Sequence, residues 1–188
     1  MPLEFVEPSP QVLRTYAAGL LDITGAPPLN DSAIHVPVWT IDMDAIVKGL
    51  GVPSEQPAGC RFYASYPPPQ GILSSEMTNP SEYGRAKFRS LLNGELAQWG
   101  WTRIQQIQQL SELGSARYEL HFLSIPSLFV EAFYLRAEEE GPPNLVVPMD
   151  LFAEALAPPL VQEIAVYLAT LQPVAIARIA PVDDPLLP

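Results

Sequence analysis

Apolar side chains recur at helical spacing in "QVLRTYAAGLLD", where Val12, Leu13, Tyr16, Ala17, Leu20 and Leu21 fall along one face. Ser9 and Pro10 mark the start of this helix, because serine caps free amides and proline loses nothing at the first helical position. "AIHVPVWTI" then reads as a strand of β-branched and aromatic residues; its Pro37 cannot donate to a ladder, which predicts an edge or a bulge. Asp42 opens a short helix over "MDAIVKGLG", "GCRFYASY" gives another strand, and "PPPQGILSSEMTNPS" reads as a loop with Pro67 to Pro69 extended. From Ser81 the pattern predicts a helix that gathers Phe88, Leu91, Leu92, Leu96 and Trp99. A second helix follows, capped by Thr102, striped by Ile104, Ile107, Leu110 and Leu113, and closed by Gly114. The two meet at Trp99 to Trp101.

The densest apolar stretch, "RYELHFLSIPSLFVEAFYLRAEEE", predicts two strands, and "LVVP" adds a third. Asp150 caps "LFAEALA", and Pro159 begins a helix over "LVQEIAVYLATLQ" that buries Ile164, Leu168 and Leu171. The proline spacing after it predicts an extended C-terminal tail over 173–188. No repeat recurs at a fixed period, and strands do not alternate with helices as a doubly wound sheet requires. The expected architecture is α+β: a small antiparallel sheet, a meander around residues 117–148, packed against several short helices with proline-rich connections. The expected domain is single, 1–188, with the loop at 67–80 as the candidate internal boundary.

Composition narrows the function classes. The chain has 188 residues, of which 48% are hydrophobic and 16% charged, against a usual charged share of about 25%, as expected of a packed chain. Its 22 prolines predict short elements. A net charge of −11 opposes binding to phosphate backbones, so no nucleic acid partner is expected. The lone cysteine, Cys60, excludes an intrachain disulfide framework and a cysteine-rich zinc site. The start "MPLEFVEPSP" shows no secretory pattern, and no apolar run reaches the roughly eighteen residues of a membrane span. A soluble, cytoplasmic protein without membrane insertion is expected.

Candidate chemistry is sparse. If Pro126 and Ser127 formed a two-residue turn, Phe122 would face Glu131 and bury that carboxylate among aromatic rings; proline also cannot supply the positive φ that favoured turns need. A three-residue loop over Ile125 to Ser127 sets His121 opposite Glu131 with Glu119 on the same face. That register offers an acid–base pair, or equally a polar strand face. Asp42 and Asp44 are a bare Asp-x-Asp that suits magnesium or, as readily, the first turn of a helix. Arg85 and Arg89 share a helical face that suits an anion or the chain's own acids; Trp99 and Trp101 offer a stacking platform or core wedges. No P-loop, His-Glu-x-x-His, Gly-x-Ser-x-Gly or calcium loop occurs. The expectation is a non-catalytic protein-binding or scaffold module with a protein partner or self-association and no cofactor. The alternative is an enzyme using His121 with Glu131, or Asp42 with Asp44.

Overall fold

The structure is a computed structural model that describes residues 3–25, 33–50, 53, 56–65, 71–78, 87–149 and 161–179. Within them the chain runs β1 (Leu3–Glu4), α1 (Pro10–Thr24), β2 (Ile34–Thr40), α2 (Met43–Val47), β3 (Gly59–Ser65), β4 (Ile72–Thr78), β5 (Phe88–Leu92) and α3 (Glu95–Gln108). It continues with β6 (Tyr118–Ile125), β7 (Val130–Ala137), β8 (Leu145–Pro148), β9 (Gln162–Glu163) and α4 (Ile164–Ile179). Single 3-10 turns cover Ser111–Leu113 and Pro126–Leu128. The α+β class holds, but the sheet is a nine-stranded mixed one rather than a three-stranded meander.

Strand order β5-β4-β3-β2-β6-β7-β8-β9 amounts to two antiparallel meanders laid side by side. Their first strands, β2 and β6, adjoin and run parallel. A parallel neighbour needs a long crossover, and the segment containing α3 supplies it. Each meander leads into a helix. α3 seats Ile104 and Ile107 on the face bearing Tyr63, Phe122 and Phe133; α4 seats Leu168 and Ala175 on the opposite face, against Leu123, Ala132 and Val146. A half-turn about an axis along the strands therefore exchanges the two halves and the two faces. This repetition is topological, which is why no sequence period announces it. The face under α4 is shared with α2, through Ile46, and with α1, whose Val12, Tyr16 and Leu20 cover Cys60, Phe62 and Leu73.

Local signals set α1 as expected. The Ser9 hydroxyl accepts from the Val12 N–H at 3.3 Å, Pro10 takes the first position, and Gly25 closes the helix at φ 68. Leu13 and Leu21, expected on the buried face, are exposed.

Pro37 lies inside the sheet, not on an edge. Val38 C=O accepts from the Ala58 N–H, so Val38 turns its polar backbone toward β3, and Pro37, one residue earlier, turns the other way. There the ladder with β6 has not begun: it starts at Val38–Phe122, while β1 holds β6 at Tyr118 and Glu119. Proline thus occupies the point where β2 and β6 splay apart. Protonated Nδ1 of His35 donates to the Val6 carbonyl just after β1, at 2.6 Å.

Four other expectations are corrected. Residues 72–78, read as loop, form β4, fully paired with β3; Pro67 to Pro69 lie outside the described residues. Phe88 to Leu92 belong to a strand because β4 offers them a ladder partner. Trp99 to Trp101 lie within one helix rather than between two. The helix after β9 continues through Pro173 to Ile179, so an extended tail does not begin at 173. Asp150, Pro159 and 180–188 lie outside the described residues.

Candidate functional site

The β6–β7 hairpin decides the histidine question. Its loop contains four residues, Pro126 to Phe129, and Phe129 supplies the left-handed turn at φ 56. The register pairs His121 with Tyr134 and Ser124 with Glu131. His121 and Glu131 therefore point to opposite faces, which overturns the expected pair. An even loop has the parity of the register judged poor from sequence, and Glu131 does enter the apolar face.

His121 instead joins Trp39 and Glu119. Indole N–H is only a donor, so Trp39 Nε1 donates to His121 Nδ1 at 3.0 Å; protonated Nε2 then donates to Glu119 Oε2 at 3.1 Å. Both ring nitrogens are committed, which leaves no lone pair for a general base. Burial lowers the His121 pKa by more than the Glu119 carboxylate raises it, and burial lowers that of His35 as well. A folded pKa below the unfolded one means that the unfolded chain binds more protons as acid is added, so these residues contribute stability that is lost as pH falls below about 6.5. We expect the urea midpoint to drop between pH 7.5 and 5.0, with a smaller drop in His121→Phe; an equal slope in both proteins would remove His121 as a cause.

Glu131 pairs with Arg61. Arg61 Nη2 and Nη1 reach the two carboxylate oxygens at 2.6 and 3.3 Å, and its guanidinium lies 3.8 Å from the Phe122 ring centroid. Glu76 joins at 3.6 Å and Arg89 holds Glu76 at 3.6 Å, giving a neutral chain of four charges. It bridges β3 and β7 across the central strands. Beside it lies a cavity of about 100 Å³ lined by Tyr63, Ser74, Leu96 and Met149, where burial pushes the Tyr63 phenol up.

Other expected residues disperse. Asp42 occupies the N-cap position of α2 without a side-chain cap bond and Asp44 its first turn, both exposed. Among the described residues no three His, Cys, Asp or Glu side chains converge as a metal site needs. Trp99 and Trp101 pack half-buried on the core, with Arg103 5.2 Å over the Trp99 ring. Arg89 sits on a strand, not a helical face, and Arg85 lies outside the described residues. Cys60 lines a cavity of about 220 Å³ with His35, Pro37 and Val12; burial pushes its thiol up to about 12, so it remains an unreactive thiol.

A surface feature that the sequence left unmarked is Phe129. It is 83% exposed and is the one non-glycine residue with positive φ among the described residues. Arg178 of α4 braces it: Nη1 donates to the Ser127 carbonyl at 2.8 Å, and the guanidinium lies 5.2 Å from the ring centroid. Val174 and Ile176, in the same last turns of α4, are about half exposed, as is Val166 at the helix's other end. Among the described residues no helix is long and apolar enough to cross a membrane. Compared with protein-family models, curated protein sequences and solved structures, the chain matches none.

Proposed function

We propose that this chain is a non-catalytic protein-binding module of scaffold or assembly type, which presents Phe129 and the outer side of α4 to a protein partner. Phe129 carries the reading. A side chain in the left-handed region costs on the order of 1 kcal/mol relative to glycine, and this ring recovers little of it by burial, being 83% exposed. Glycine would suit the turn better, whereas a projecting aromatic beside an arginine has the character of a binding anchor. The engagement of both His121 nitrogens supports the non-catalytic side of the reading.

The test is Phe129→Gly. Its urea-unfolding free energy should be unchanged or raised by up to about 1 kcal/mol, while proteins that immobilised wild-type chain retains from its native lysate should be lost. Retention of the same proteins by the variant would sink the proposal.

A further inference from the structure

We infer that the cavity on the α3 face of the sheet, where Arg61, Glu131, Tyr63 and Ser74 converge, binds a small ligand that carries a neutral carboxamide-type group on a short aliphatic tail. This goes beyond the protein-binding reading and does not rest on it. Strand register builds the polar wall. β3 and β4 pair Arg61 with Glu76 and Tyr63 with Ser74, and β5 sets Leu92 opposite Ser74, so these side chains share one face. Glu131 reaches them from β7 through its bonds to Arg61. α3 closes the cavity with Leu96, and the missing side chain at Gly100 lets the helix come down on the Tyr63 ring. The space is about 100 Å³, roughly the liquid volume of three waters, which suits a head group of a few heavy atoms. It opens past Leu92 and Leu96, both about half exposed, where an aliphatic tail finds apolar surface.

Stability does not account for the charges in this wall. An ion pair set on an apolar face, as Arg61 and Glu131 are, gains nothing over apolar side chains of similar volume. The hydroxyls also keep capacity for a ligand. Tyr63 hydrogen-bonds with Arg61 and with Ser74. A guanidinium only donates, so the Tyr63 oxygen accepts from Arg61, and the bond between the two hydroxyls uses one of their two hydrogens. One O–H donor is left in the cavity, beside a Glu131 carboxylate with lone pairs beyond its bonds to Arg61. Charge sets the ligand class. Arg61 and Arg89 balance Glu76 and Glu131, so a carboxylate would meet Glu131 and an ammonium would meet Arg61, each uncompensated. A carboxamide matches both groups: its carbonyl oxygen accepts from the hydroxyl while its N–H donates to Glu131.

Methyl NMR on the full chain, labelled with carbon-13 at its methionine methyls, tests this, because Met149 lines the cavity and is buried. Isovaleramide should shift the Met149 signal saturably, with Kd of about 1 to 10 mM for so small a ligand. Isovalerate and isoamylammonium, which put an anion or a cation on the same kind of tail, should bind at least about tenfold more weakly. Ser74→Ala should raise Kd for isovaleramide about fivefold through the lost hydrogen bond. Arg61→Met with Glu131→Leu should abolish the shift while circular dichroism shows a folded chain; if that double variant does not fold, Ser74→Ala decides. No saturable shift with isovaleramide, which would mean a cavity holding water only, overturns the inference. Equal Kd for the three probes overturns it too, as does wild-type binding by Ser74→Ala or by the folded double variant.

Discussion

Replacing Phe122 with alanine should cost about 4 kcal/mol of folding free energy, lowering Tm by roughly 8 to 16 °C in a chain of this size. The ring is fully buried, meets Phe133 edge-on at 5.7 Å and carries the Arg61 guanidinium 3.8 Å above its centroid. Its loss leaves a cavity between the meanders and removes the floor of an ion pair. Phe122→Leu, which keeps most of the volume, should lose only about 1 to 2 kcal/mol. In a double-mutant cycle with Arg61→Ala the coupling should exceed about 0.5 kcal/mol; strict additivity would show that the stacking contributes nothing.

Arg61→Ala alone should destabilise by about 3 kcal/mol, at the low end for a buried pair because Glu131 keeps 31% of its side-chain exposure. The variant strands the Glu131 carboxylate on an apolar face, while Glu76 retains Arg89. Removing both charges in Arg61→Met with Glu131→Leu should recover most of the loss, since the desolvation of the pair disappears with it. Urea titration checks both; a loss below about 0.5 kcal/mol in the single variant would mean that water already solvates the pair.

What could be read from sequence was what is decided locally. Ser9, Pro10 and Gly25 delimit α1 through contacts within a few residues, and the alternation from Tyr118 to Val147 shows β6 to β8. Long-range decisions were hidden. The Phe88 to Leu92 pattern fits a helix as well as a strand until β4 supplies a ladder. Gly100 looks like a break between helices, yet it lets α3 sit on Tyr63, whose ring carbon would lie 2.6 Å from any Cβ there. Glu131 looks too polar for the apolar face in sequence because its partner, Arg61, stands 70 positions earlier. Phe129 was legible only as another apolar residue; its exposure follows from a loop length that local rules left open.

Pro37 has a consequence for assembly of the chain. The first meander can form from neighbouring segments, but the contact that joins the halves is distant: Trp39 and His121 are 82 positions apart. Such closure is slow compared with local hairpins, so β2 should be left as an unsatisfied rim until β6 joins it. Proline on that rim withholds an amide that a stray strand from another molecule would use, and the splay filled by β1 absorbs the gap once the halves join. We expect Pro37 to guard against intermolecular pairing while the chain folds.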